Sequence, residues 1–116
     1  MKLFKITTAG QLEVIECKDD KLLDTCYKEI GCDCIECPTS AILPGHLQMI
    51  VDESGWLKDE PQINVIASWF YSKLHKDYLI AGTAIIARRG LNQDGEEDLI
   101  SLTDQDITFL KNLILS

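Results

Sequence analysis

Three of the five cysteines lie close together in a C-x-C-x-x-C pattern, at Cys32, Cys34 and Cys37. Three thiolates with His46 or Cys26 would supply the four tetrahedral ligands of a structural zinc site. Such sites commonly draw on two separated pairs of ligands, whereas on an extended strand Cys32 and Cys34 face one side and Cys37 the other. Because cysteine also buries readily as a small apolar residue, we expect structural thiols and no metal or other cofactor. A structural zinc module that uses Cys32, Cys34 and Cys37 is the alternative.

The segment from Cys34 to Cys37 is also a C-x-x-C motif, the spacing of dithiol redox sites. In those sites a helix N-terminus lowers the pKa of the reactive thiol. Here Pro38 follows the motif and no helix opens, which disfavours a redox role. His75 is expected near a helix C-terminus, where positive charge is favourable, and His46 is expected in solvent. The sequence contains no Ser-His-Asp order, phosphate-binding glycine loop or dinucleotide fingerprint, so we predict that the protein is not an enzyme.

Acidic residues dominate the charge, with 19 acidic and 11 basic side chains and a net charge of −8. Because neutralised phosphates supply most of the affinity for nucleic acids, we expect no direct nucleic-acid binding. Residues 90–110 carry carboxylates and no basic side chain. Two of these carboxylates, Asp104 and Asp106, have a local role at a helix start. The others form a candidate contact with a basic host protein, with a solvated loop as the alternative: Asp94, Glu96, Glu97 and Asp98.

The neighbouring arginines Arg88 and Arg89 are expected at the end of a central strand, where they could grip a carboxylate or a phosphate. Trp56 and Trp69 could add stacking contacts. These four residues are the candidate ligand site of an alternative function, the sequestration of an anionic nucleotide signal. A solvated strand end is the plainer interpretation of the two arginines.

The elements that position these residues are predicted from periodicity and turn signals. Partial alternation around Ala9-Gly10 predicts an antiparallel hairpin of residues 2–8 and 11–17. An apolar face at helical spacing follows, with Asp19-Asp20 at its start and Gly31 at its end. Further strands are predicted at residues 32–37, at 47–52 with a short return strand at 56–57, at 79–87 in the centre of the sheet, and at 99–102.

Two more helices are predicted by their start signals. Pro61 suits the first position of a helix whose apolar stripe runs to Leu74. Thr103 and Asp106 form a variant of the capping box at the start of the last helix. Residues 90–98 are predicted to be a polar loop. The whole is an α+β fold, with a mostly antiparallel mixed sheet of about five to six strands and three helices on one face.

Length and hydropathy set the cellular context. The 116 residues suit a single domain, 1–116, that buries a core without disulfides. No run approaches the roughly 18 apolar residues of a membrane span. Residues 1–5 lack the apolar region of a secretory signal. We therefore expect a cytoplasmic protein without membrane contact, and we leave open a homo-oligomer.

Four stretches carry a resemblance through their order and spacing: Val-Asp-Glu-Ser-Gly-Trp-Leu-Lys at 51–58, Pro-x-x-Asn-x-x-Ala at 61–67, Ile-x-Gly at 80–82, and Ser-Leu-Thr-Asp-x-Asp-Ile at 101–107. In them the chain resembles the family called domain of unknown function 3846, small proteins common in bacteriophages and other mobile elements. The cysteine cluster and the acidic loop at 90–98 depart from the family's pattern. The family has no established catalytic residues to carry over. The resemblance implies an accessory protein of a kind that often counters host defences.

Together, the acidic loop and the resemblance favour a non-catalytic phage or mobile-element protein that binds and inhibits a host factor in the host cytoplasm. The expected mode of action is stoichiometric protein–protein contact of an anti-defence type. The nucleotide sponge and the zinc module are the alternatives.

Overall fold

The computed structural model describes residues 1–40, 42–72 and 79–115. Within them six strands form one sheet with three α-helices and a short 3-10 helix, which confirms the predicted α+β class. The strands are β1 (Lys2–Ile6), β2 (Leu12–Glu16), β3 (Ile35–Glu36), β4 (Leu47–Asp52), β5 (Ala84–Leu91) and β6 (Glu97–Ile100). The helices are α1 (Leu22–Ile30), α2 (Val65–Ser72) and α3 (Asp104–Leu115), and the 3-10 helix is Gly55–Leu57.

The strand order is β2-β1-β5-β4-β3, and every pairing between described strands is antiparallel. Strand β5 is long enough to pair with two strands along one edge. Its first half pairs with β1, through Phe4 and Ile86, and its second half pairs with β6, through Arg88 and Ile100. Strands β1 and β6 therefore lie end to end beside β5, and the Leu102 amide donates to the Lys2 carbonyl where they meet.

The sheet is covered on both faces, so the prediction that all helices lie on one face is wrong. One core contains Phe4, Met49 and Ile86 together with residues of α2 and α3. The other contains Ile50 and Ile85 together with residues of α1. The reason is that β4 and β5 carry large apolar side chains at consecutive positions, which point to opposite faces and both need cover.

The first half of the chain follows the predicted order with two corrections. Helix α1 ends at Gly31 in the left-handed conformation, at φ 76°, as predicted. It begins at Leu22 without a side-chain cap, so Asp19 and Asp20 do not have the predicted capping role. Between Cys32 and Cys37 only Ile35–Glu36 pairs as a strand, with β4.

The predicted return strand at Trp56–Leu57 is instead part of the 3-10 helix. Gly55 packs so tightly against the Ala81 carbonyl that a Cβ atom would not fit. The next helix begins at Val65 rather than at Pro61, which corrects a second prediction. Its start is set by the buried amide side chain of Asn64.

Asn64 is fully buried at the start of α2. Its Oδ1 accepts a hydrogen bond from the Ala67 amide at 3.1 Å, while its Nδ2 donates to the carbonyls of Ile6 and Gly82 at 2.9 and 3.0 Å. Tertiary hydrogen bonds therefore decide where this helix begins. Leu74 and His75, predicted in the same helix, lie outside the described residues.

Strand β5 runs from Ala84 to Leu91, later than the predicted 79–87, so Arg88 and Arg89 lie inside the strand rather than at its end. The predicted loop at 90–98 shrinks to residues 92–96, because both of its ends belong to strands. The capping box is confirmed: the Thr103 amide donates to Asp106 Oδ2 at 3.0 Å, and the Asp106 amide donates to Thr103 Oγ1 at 3.1 Å. In the described part of the chain, no helix has the length and apolarity needed to cross a membrane.

Candidate functional site: an acidic groove

Two adjoining cavities lie between the β5–β6 hairpin and the start of α1, with volumes of about 490 and 430 Å³. They share four lining residues, Asp19, Asp20, Asp98 and Leu99. We call the two cavities together the acidic groove.

Five aspartates line the acidic groove: Asp19, Asp20 and Asp24 from the α1 side, and Asp94 and Asp98 from the hairpin. The α-ammonium group of Met1 lies 3.5 Å from Asp19, and Lys21 lies 3.8 Å from Asp24. The other three aspartates have no ion-pair partner in the described part of the chain. The groove therefore presents uncompensated negative charge.

Leucines form the apolar part of the acidic groove. Leu91 is 64% exposed and Leu23 is 51% exposed, and Leu99 lies between the two cavities. Ion pairing and apolar contact are therefore available together in this groove.

The hairpin turn is held by the Asn92 side chain. Asn92 Oδ1 accepts hydrogen bonds from the amides of Asp94 and Glu96 at 2.9 and 3.1 Å, and its Nδ2 donates to Asp98 Oδ2 at 3.3 Å. The Asn92 amide also donates to the Glu96 carbonyl at 2.8 Å. The turn is therefore held by hydrogen bonds within the hairpin itself.

Of the four predicted contact residues, Asp94 and Asp98 line the acidic groove, whereas Glu96 and Glu97 are exposed on the hairpin outside it. Sequence reasoning missed Asp19, Asp20 and Asp24 as groove residues, because only the sheet topology places them opposite the hairpin.

The family model "Domain of unknown function (DUF3846)" matches residues 1–114. The chain belongs to this family. No curated protein and no solved structure matches it. The predicted resemblance is confirmed at the level of the family, and the function has to be argued from the geometry of this DUF3846 protein.

A second group of polar residues surrounds Asp106, whose side chain is 6% exposed. Arg88 Nη1 donates to both of its carboxylate oxygens, at 2.8 and 2.7 Å, and His46 Nε2 lies 3.2 Å from Oδ1. Burial tends to raise the pKa of Asp106, but the hydrogen bonds from Thr103 and Arg88 outweigh it and hold the pKa below its ordinary value. Every charge in this group has a partner.

Arg88, the first residue of the candidate nucleotide site, is engaged by its hydrogen bonds to the Asp106 carboxylate. Arg89 is its neighbour on β5, so the two side chains point to opposite faces, and the structure does not bring them together. The indole of Trp56 donates to the Leu79 carbonyl at 2.7 Å, and the Trp69 ring lies 5.2 Å from that of Phe70 on α2. Nucleotide sequestration by this set stays a prediction.

Cysteine side chains of this DUF3846 protein differ in exposure. Cys26 is buried, and burial, followed by the nearby Cys17, Cys37 and Cys32, raises its pKa to about 12. Desolvation by neighbouring protein atoms also raises the pKa of Cys32 and of Cys37, although Cys37 as a whole residue is exposed. A raised pKa keeps these thiols protonated and poorly nucleophilic near neutral pH.

Cys34 and Cys37 are exposed, and they are the residues immediately before and after β3 in the sequence. Within residues 1–40, 42–72 and 79–115, no three side chains of His, Cys, Asp or Glu are placed to hold a metal ion together. The alternative zinc set of Cys32, Cys34 and Cys37 is therefore not assembled by the structure.

Proposed function

We propose that this DUF3846 protein is a non-catalytic phage or mobile-element protein that inhibits a host protein in the host cytoplasm. It acts by stoichiometric contact, and the acidic groove is the contact surface. The observation that supports this most is that three aspartates, Asp20, Asp94 and Asp98, lie beside exposed leucines without an ion-pair partner among the described residues, and that two separate parts of the fold hold them. Electrostatic complementarity favours a basic partner and speeds its association.

The side chains in the groove are suited to contact with a protein. Aspartates and leucines predominate among the described residues that line it. Such a surface offers ion pairs and apolar anchoring to a partner.

Affinity capture from the host tests the proposal. Tagged protein at native level is expected to enrich one basic host protein. The variant Asp20→Asn/Asp94→Asn/Asp98→Asn is expected to lose it, because the three unpaired charges of the groove are gone.

A matched control removes the same amount of charge elsewhere. Asp33→Asn/Asp59→Asn/Glu60→Gln alters exposed residues outside the acidic groove and is expected to enrich the same host protein as the native chain. Failure of the native protein to enrich any host protein contradicts the proposed function. Equal loss in both variants contradicts the role of the groove.

A further inference from the structure

The acidic groove follows a step in the edge of the sheet. Strand β2 pairs with β1 only, and this pairing ends where the Cys17 amide donates to the Met1 carbonyl. Strand β6 continues along β5 beyond that point and, within the described residues, has no strand on its outer side. The larger cavity lies at this step, since Met1 and Asp19 line it from one side and Leu99 from the other.

The backbone of β6 offers a hydrogen-bonding group at this step. The Leu99 amide does not pair with β5 but donates to Asp98 Oδ1 at 2.8 Å. In an antiparallel strand, alternate residues direct their amides and carbonyls away from the neighbouring strand. A carboxylate thus occupies the position where the carbonyl of another strand would lie.

The arrangement of the aspartates indicates which kind of ligand the acidic groove suits. They do not converge on one point, because no three acidic, cysteine or histidine side chains within the described residues are placed to hold a metal ion. Instead they are distributed along two adjoining cavities. Charge spread along a groove complements an extended chain with several cations.

We propose that the acidic groove takes an extended basic segment of the partner protein, which adds a strand to the free edge of β6. This inference rests on the proposed function, since it names the part of the partner that binds. Addition of a strand to an exposed sheet edge is a recurring mode of peptide recognition. Lysine or arginine stems lie over Leu91 and Leu99, while their charged groups reach Asp20 and Asp94.

Binding exchanges the partners of Asp98. The Leu99 amide leaves the Asp98 carboxylate for a carbonyl of the incoming segment, and the freed carboxylate pairs with a basic side chain of that segment. The edge of β6 is therefore protected by its own aspartate until a basic strand arrives.

The test uses the full chain and a fluorescent peptide in which lysine and valine alternate and both termini are capped. Two further peptides carry backbone N-methyl groups on one or the other set of alternate residues, with the charge unchanged. In fluorescence anisotropy one N-methylated peptide is expected to bind about tenfold more weakly, because it loses edge hydrogen bonds, while the other binds like the parent.

Variants locate the site. Asp20→Asn/Asp98→Asn is expected to weaken binding of the parent peptide about fivefold or more, and Asp59→Asn/Glu60→Gln is expected to leave it unchanged. Equal binding of all three peptides overturns strand addition. Absence of peptide binding overturns the inference, while capture of a host protein through the groove still supports the proposed function. Peptide binding without capture of a host protein supports strand addition at β6 and contradicts the proposed function.

Discussion

Two groups of carboxylates in this molecule have opposite surroundings. Asp106 is almost fully buried and is surrounded by Arg88, His46 and the Thr103 amide. The aspartates of the acidic groove face solvent, and Asp20, Asp94 and Asp98 have no cation beside them in the described residues. Net charge alone does not distinguish the two groups. Burial and ionic partners do: they favour a structural role for Asp106, and they are compatible with the proposed binding role of the groove aspartates.

The largest expected effect follows from Asp106→Ala. The change leaves Arg88 without its carboxylate and removes the acceptor of the Thr103 amide in the capping box of α3, so we expect a loss of about 2–3 kcal/mol in the free energy of unfolding. Urea denaturation measures it. Asp94→Ala, in the acidic groove, should stay within about 0.5 kcal/mol of the native value. Equal losses in both variants would erase the distinction between the two groups.

Low pH should destabilise the protein through the same residue, Asp106. The folded pKa of Asp106 lies below the ordinary value of 3.8, so its contribution to stability is fully present above that value. It is lost as the pH falls through the lower folded pKa. Urea denaturation between pH 6 and about pH 3 should therefore show a smaller decline in stability for Asp106→Asn than for the native protein. Parallel declines would mean that other carboxylates dominate acid unfolding.

Substitutions in the acidic groove should have little effect on stability and a large effect on binding. Asp20→Asn/Asp94→Asn/Asp98→Asn is expected to change the free energy of unfolding by less than about 0.5 kcal/mol, because these side chains are exposed. Asparagine at position 98 also keeps an oxygen for the Leu99 amide. The same variant should abolish capture of the host partner. A large loss of stability would show that these aspartates are structural after all.

Local signals allowed some of this to be predicted from the sequence. The capping box of Thr103 and Asp106 lies within one helical turn, so its residue types reveal it. The start of α2 was mispredicted, because Pro61 is a good local start signal, whereas Asn64 is fixed by the carbonyls of Ile6 and Gly82, which are distant in sequence.

The candidate site was harder to predict for the same reason. The hairpin half of the acidic groove was found as a run of acidic residues, but its other half lies at the start of α1. Asp19 and Asp20 were interpreted as helix-capping residues there, a role that local sequence favours and the structure does not assign. Their position across the groove from the hairpin depends on β6 lying beside β5 beyond the end of β1, and no local pattern encodes that.

The smallest expected effect is on partner affinity. It distinguishes the acidic patch predicted from the sequence from the acidic groove seen in the structure. Glu96→Gln/Glu97→Gln removes two exposed charges of the hairpin that do not line the acidic groove. Because the partner meets them only through screened, long-range attraction, we expect its affinity to fall by about twofold at physiological salt. Asp94→Asn/Asp98→Asn removes the same charge from the same hairpin and should weaken binding several times more. Titration of the captured partner against both variants measures the difference. If the glutamate variant loses as much affinity as the aspartate variant, the partner recognises the charge of the hairpin as a whole, and position in the groove is not what selects the contact residues.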